Sequence, residues 1–409
     1  MNKKRIFIGL AGILLMAGRA NASGFGLYEA SMPTYVLGGA VIGRAVDASA
    51  NFHNPATLTD LTNVTVTLGF VTEHPRARIK VNGNPSHAMD PGVFWLPHFH
   101  AVVPLPWNLR FGLGLMPEYG LGSAYNDHWE LANNSRETTV MSMTLNPNIA
   151  WEIVDGLSIG AGLRFLYFDF EQYSSPYVPA LGTRFRNRLK GDNDFGDFGY
   201  QVGLKYDVCE SFSVGAVYKS QTTVHVKGKT TNHAENPLAA PYAAAASGSA
   251  ETELKLPQSI TVGCNWDVTK TVRFGGMFAW TQWSSVDTLD FKLAGSHKDV
   301  ILKWDDTYRI GVSAAWDFAS DWTVMGSYVY ETDCCGSQES TMLPAASRHM
   351  LSLGFTWRCL DNLDIGFGYG MILMDGKRTH ARDAEGNLAD YEAHRGISHA
   401  AGMSLTYRF

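Results

Sequence analysis

From Asn63 to the last residue, Phe409, apolar residues alternate with small or polar ones at a period of two. This rhythm constrains the chain more than anything else in it. In Leu157–Tyr167, Leu157, Ile159, Ala161, Leu163, Phe165 and Tyr167 share one face of a strand; Ser158, Gly160, Gly162 and Arg164 take the other. Leu363 to Leu373 sets Leu363, Ile365, Phe367, Tyr369, Met371 and Leu373 against Asp364, Gly366, Gly368 and Gly370. Leu351, Leu353, Phe355 and Trp357 repeat the pattern, as do Met403, Leu405, Tyr407 and Phe409. A soluble sandwich alternates too. A membrane barrel is favoured because Tyr, Trp and Phe recur near strand ends on the apolar face, as interfacial girdles require, and because the final strand ends on an aromatic.

The connections alternate as strictly as the residues. Short turns fall at 105–108, 154–156, 207–211, 267–270, 317–321 and 360–362. Long polar connections fall near 82–92, 118–136, 173–186, 229–250, 293–300, 333–348 and 376–396. Short turns on one rim and long loops on the other are the periplasmic and extracellular sides of an outer-membrane barrel, and the count gives about 14 strands, an even number. The low-complexity stretch Ala239 to Ser249 sits in one long loop as a flexible surface segment.

At the amino end Lys3, Lys4 and Arg5 precede the apolar run Ile6 to Ala17, and Ala20-Asn21-Ala22 supplies a cleavage site. Residues 1–22 therefore read as a cleaved export signal, the run being short for a membrane anchor. No later apolar run reaches about 18 residues, so membrane residence requires a barrel. Charged residues are 18%, below the usual share, and the net charge of -6 carries no basic run for nucleic acid. The five cysteines (Cys209, Cys264, Cys334, Cys335, Cys359) have no metal-ligand spacing. Cys264 and Cys359 read as small strand hydrophobes, while Cys334 and Cys335 could pair only in a strained ring.

Residues 23–61 follow neither period. They are rich in small residues (Gly38, Gly39, Ala40, Gly43, Ala45, Ala48, Ala50), which suits close packing against an enclosing wall. Asn54 followed by Pro55 reads as a helix cap and first-turn proline, with one short helix from Ala56. The expected organisation is a hatch over 23–61 inside a barrel over 62–409.

Four stretches resemble the FadL family of outer-membrane transporters for long-chain fatty acids and aromatic hydrocarbons. They are Gly24-Phe25 with Asn54-Pro55-Ala56; Val103-Pro104-Leu105 with Phe111 to Pro117, Tyr119 to Leu121, Tyr125 and Trp129; Gly191-Asp192 with Phe195-Gly196, Gly199-Tyr200 and Gly203; and Leu256-Pro257, Trp280, Trp283, Asp306 to Gly311 and Trp322. The resemblance spans Gly24 to Phe409 and implies a fourteen-stranded barrel plugged by its amino-terminal hatch. It implies passive uptake of hydrophobic molecules: capture by exterior loops, a pocket beside the hatch, and lateral release where the third strand kinks inward.

Carried onto this sequence, Phe25 and Leu27 would close the inner pocket or pack inside the barrel, and Asn54, Pro55 and Ala56 would hold the hatch fold. Gly112, Gly114 and Pro117 would lie at the lateral opening, unless the glycines only make room for the hatch. Tyr119, Leu121, Tyr125 and Trp129 would capture cargo or cap the mouth, and Arg164 and Arg309, inward by parity, could meet a carboxylate. Asp305 stands where the fatty-acid carriers have a lysine, which leaves neutral aromatic hydrocarbons open as cargo.

His98 and His100 share a strand face without a third metal ligand, and no hydrolase, metalloprotease or P-loop pattern occurs, so neither catalysis nor a cofactor is expected. The expected partners are a fatty acid or hydrocarbon and the surrounding outer-membrane lipid and lipopolysaccharide, with the chain a monomer. A general porin, an outer-membrane hydrolase and an adhesin are the competing classes; a porin should lack the hatch that 23–61 predicts.

Overall fold

A computed structural model describes residues 24–126, 129–293, 296–335, 338–341, 345–382 and 387–409. The expected export signal therefore lies outside the described residues. The alternating part closes into an antiparallel barrel of fourteen wall strands. In chain order these are β1 (Thr65–Val81), β2 (Phe94–Leu105), β3 (Leu109–Met116, resuming as Gly120–Ala124), β4 (Glu137–Val154) and β5 (Leu157–Ser174). Next come β6 (Thr183–Asp192 and Asp197–Cys209), β7 (Phe212–Lys219 and Thr222–Ala234), β8 (Gly248–Leu256 and Ser259–Asp267) and β9 (Val272–Thr281 and Thr288–Leu293). The last are β10 (Ser296–Ile301 and Thr307–Ala319), β11 (Trp322–Glu331), β12 (Arg348–Leu360), β13 (Leu363–Met374) and β14 (Gly396–Arg408). The ring closes where β1 pairs with β14, from Thr65 opposite Arg408 to Arg76 opposite Ile397. Closure leaves no free sheet edge, which is what hydrocarbon surroundings demand.

The two faces of the wall follow the period-two reading. Leu351, Leu353, Phe355 and Trp357 of β12 are exposed outward, while Ser404 and Thr406 of β14 are buried inside. All six short turns lie at one end, and no helix among the described residues is long and apolar enough to cross a membrane. At the other end β1 runs on beyond the ring, and Ile79–Val81 joins strands Lys377–Arg382 and Leu388–Ala393 in a small extra sheet over the mouth.

Gly24 to Leu61 packs inside the barrel. Ser31 caps helix α1 (Met32–Val36), its side chain accepting from the Thr34 amide, with Pro33 in the first turn. The expected helix from Ala56 is a 3₁₀ turn, Pro55–Asp60, with Asn54 as its cap and Pro55 in its first turn, and a short helix α2 (Ala50–His53) precedes it. Asn54 joins them: its Oδ1 accepts from the Ala56 amide at 3.1 Å, and its Nδ2 donates to the carbonyls of Ile42 (2.7 Å) and Leu204 (3.0 Å). One side chain thus caps a turn and ties the hatch to β6. The wall makes room with glycine: a Cβ on Gly203 would lie 2.0 Å from Asn54 Oδ1, and one on Gly160 would lie 2.5 Å from the Pro55 backbone.

Candidate functional site

The site begins where the third strand breaks. The ladder between β2 and β3 runs from Leu105 opposite Leu109 to Phe99 opposite Leu115. Pro117 then cannot donate to a ladder, and the chain turns inward. When β3 resumes, Gly120–Ala124 pairs with β4. Across from it Phe94–His98 of β2 pairs with β1, and among the described residues no ladder joins these two stretches. A window is left in the wall, bounded below by Phe99 and Leu115 and above by an Asp90 amide bond to the Ala124 carbonyl (3.1 Å).

The backbone groups freed by the break find other partners. Gly26 forms a bridge to Tyr119: the Leu27 amide donates to the Glu118 carbonyl and the Gly120 amide to the Phe25 carbonyl, both at 2.9 Å. The Ser142 hydroxyl accepts from the Tyr119 amide at 2.8 Å and donates to the Tyr119 carbonyl at 2.9 Å. The third strand has exchanged its wall neighbour for the start of the hatch.

Buried charge holds the break inward. Glu118 takes Arg164 through Nη2 at 2.8 Å and Nε at 3.1 Å, the Lys219 ammonium at 3.3 Å and the Thr144 hydroxyl at 3.1 Å. Arg164 therefore points inward as parity required, but its guanidinium is occupied by the kink, so it is not a free cation for a cargo carboxylate. Arg309 is also inward; it lies 3.8 Å over the Tyr28 ring and donates to the Gly38 carbonyl at 3.1 Å. Both arginines brace the hatch and kink. Nothing in the sequence marks Glu118, Ser142 or Lys219, because a lone Glu after a proline carries no motif; only the loss of ladder partners at Pro117 could have suggested a need for them.

A cavity of about 550 Å³ passes through the window. Phe25, Leu27, Tyr119 and Leu121 line it on the lumen side, and Trp95 and Met141, residues 61% and 53% exposed on the outer face, line it on the lipid side. The Phe25 ring also packs on Trp283 (5.0 Å) and Tyr119 (5.9 Å), so it packs inside the barrel as well as lining the cavity. The Phe94 ring lies across the window against Gly122, where a Cβ would come within 1.9 Å of it.

Other expected site residues lie elsewhere. Gly112 and Gly114 face the hatch rather than the window: a Cβ on Gly112 would meet Asn51 Oδ1 at 1.9 Å, and one on Gly114 would meet His100 at 2.9 Å and the Asn51 Cβ at 3.5 Å. The alternative that these glycines accommodate the hatch is the one the packing fits. Tyr125 and Trp129 are buried, stacked at 4.0 Å, and packed with Ile79 and Tyr391 in a roof over the mouth. They form no open groove here. His98 and His100 are spent on structure, bonding to Ser404 Oγ and the Ala30 carbonyl, both at 2.9 Å. Of the cysteines, all five are free thiols, and Cys334 and Cys335 are buried.

Burial governs the ionisable groups of the hatch. It raises the Asp47 carboxyl, against hydrogen bonds from Ser31 and Ser49, and lowers the His53 imidazole well below its ordinary value. Below the hatch, on the short-turn side, a second cavity of about 690 Å³ is more polar than the first, lined by pairs such as Arg44 with Asp267, Arg273 with Asp317 and Arg408 with Asp364.

The chain matches the family described as outer membrane protein transport protein (OMPP1/FadL/TodX) over residues 13–409. It is 23% identical to outer membrane protein P1 of Haemophilus influenzae over 464 residues, covering 97% of each chain. It is likewise 23% identical to the long-chain fatty acid transport protein of Escherichia coli O6:H1 over 454 residues, covering both in full. In fold it is similar to a Pseudomonas aeruginosa FadL homologue (TM-score 0.85, 18% identity, 95% of this chain and 100% of that one). It is similar also to the Pseudomonas putida toluene transporter TodX (TM-score 0.74, 16% identity, 96% and 99%).

Proposed function

Because this chain belongs to the OMPP1/FadL/TodX family of outer-membrane transport proteins, we propose that it carries long-chain fatty acids or similar apolar molecules passively into the membrane plane through the window between β2 and β3. It is an outer-membrane β-barrel of a family that transports hydrophobic molecules. The observation that carries the proposal is one cavity lined both by the hatch residues Phe25 and Leu27 and by the lipid-facing Trp95 and Met141. An apolar chain gains about 0.8 kcal/mol per methylene on leaving water, so a greasy path that meets the bilayer directly is favoured over a wet pore. On this reading the residues 24–27 are the movable part, since they hold the kinked strand through two backbone hydrogen bonds. Neutral aromatic hydrocarbons remain the second cargo class: Arg164 is spent on Glu118, and Asp305 replaces a cation.

The test is a reversible staple across the window, Phe94→Cys with Gly122→Cys joined by a short bifunctional methanethiosulfonate linker. Cells making the double variant should lose uptake of a labelled fatty acid when linked and regain it on reduction, while either single variant stays active. Full uptake with the staple shown to be closed would end the lateral route.

A further inference from the structure

The cavity has a polar corner opposite the window. Glu73 of β1, Arg348 of β12 and Ser398 of β14 all line it, and Pro75 lies directly across from Ser398 in the ladder. In each of the three a buried polar atom has no hydrogen-bond partner: Glu73 Oε1, Arg348 Nε and Ser398 Oγ. Unpaired buried groups of this kind are uncommon in folded proteins and need a reason. Here all three belong to residues that line one apolar cavity, which is the pattern of a ligand site with a few orienting groups.

The chemistry of the three atoms is mixed. Arg348 Nε only donates, Glu73 Oε1 accepts, and Ser398 Oγ does either. The charge around them is not positive. Arg348 is already paired with Glu331 at 3.1 Å, Glu29 of the hatch lies beside Glu73, and Asp375 lines the same cavity. Glu73 is hydrogen-bonded to the Glu29 carboxyl, so the corner already holds a carboxyl pair, and a carboxylate head reaching the Arg348 and Ser398 donors would add a further negative charge beside it. A hydroxyl or undissociated carboxyl both donates and accepts, so it can serve all three without adding charge. A plain hydrocarbon would fill the greasy part and leave three polar atoms dry.

We propose that Glu73, Arg348 and Ser398 form a head-group subsite that selects single-chain amphiphiles with an uncharged hydrogen-bonding head, fatty alcohols or undissociated fatty acids, over plain hydrocarbons. This deepens the transport reading and rests on it. The head lies at the β12–β14 side and the tail runs past Phe25 and Leu27 toward Trp95.

The experiment measures displacement of an apolar fluorophore from the protein in lipid nanodiscs by dodecanol, dodecane and dodecanoate, each expressed per mole fraction in the bilayer at neutral pH. Dodecanol should bind at least about tenfold more tightly than dodecane. Ser398→Ala should narrow that preference about fivefold, the equivalent of one ordinary hydrogen bond, and Glu73→Gln should relieve the bias against dodecanoate. Equal binding of dodecanol and dodecane by the unaltered protein would remove the subsite while leaving the cavity as a cargo site. Dodecanoate binding more tightly than dodecanol would overturn the choice of an uncharged head. Failure of all three probes to displace the fluorophore would instead overturn the transport reading itself.

Discussion

Replacing Glu118 by Gln tests whether buried charge holds the third strand inward. The Glu118 side chain is 5% exposed and its carboxylate accepts from Arg164 twice, from Lys219 and from Thr144. Gln keeps the shape but removes the charge that compensates a guanidinium 2% exposed and an ammonium 14% exposed. Removing one partner of a buried pair costs about 3–5 kcal/mol, because the other is left uncompensated. Lys219 softens this slightly, since its ammonium also sits 3.2 Å over the Phe52 ring. Reversible urea titrations in lipid vesicles should therefore show a loss near that range for Glu118→Gln, and a similar loss for Arg164→Met. The double variant should fall short of the sum of the two by about 2–3 kcal/mol, since each single change has already broken the shared contact. Two losses that simply add, or a single loss below about 1 kcal/mol, would mean that the pair is solvated and that something else positions the kink.

Asn54→Asp should weaken hatch docking by about 2–3 kcal/mol, since Asp cannot donate to the Ile42 and Leu204 carbonyls; planar-bilayer recordings should show added ion conductance. Gly203→Val should raise conductance further, because its Cβ would overlap Asn54, while the barrel still runs as a folded species on unheated gels. His53 makes docking depend on pH. Its docked pKa is depressed, so the free hatch takes a proton first; docking is intact above about pH 6.5 and weakens by about 1.4 kcal/mol per unit as pH falls from there toward the depressed value. His53→Gln should flatten conductance over that acid range, and an unchanged acid response would show that another group is responsible.

The barrel was legible in the sequence because its physics is local and repeated. Every second residue must meet lipid, so an outward face such as Leu351, Leu353, Phe355 and Trp357 announces itself within seven positions. The break at Pro117 was legible for a related reason, since proline removes a ladder donor wherever it sits. The contacts that give the site its shape were not legible. Arg164 and Glu118 are 46 residues apart, and parity can tell which way Arg164 points but not which carboxylate awaits it. The glycines misled in the same way: Gly112 near a kink suggests an opening, yet only the folded hatch shows that Asn51 needs that space. Tyr125 and Trp129 likewise read as a capture groove before a lid, until Ile79 and Tyr391 are brought beside them from β1 and the loop strand Leu388–Ala393.

Two cavities lie on opposite sides of the hatch, and their surroundings differ in kind. Downward lies the polar cavity, with Arg44, Arg273 and Arg408 each paired to an aspartate. Those pairs are not themselves the obstacle, since partly exposed ion pairs contribute only about 0–1 kcal/mol each. The obstacle is water: a chain of about a dozen methylenes drawn into that space would give back about 10 kcal/mol of burial. Sideways, the same chain passes from Leu27 and Tyr119 to Leu121, then to Trp95 and Met141 on the lipid face, without meeting a charged group on those residues. The barrier on that side is a single ring, Phe94 resting on Gly122, and rotating one phenylalanine costs far less than rehydrating an alkyl chain. On the proposed route direction then follows from the bilayer, which the cavity meets at Trp95 and Met141.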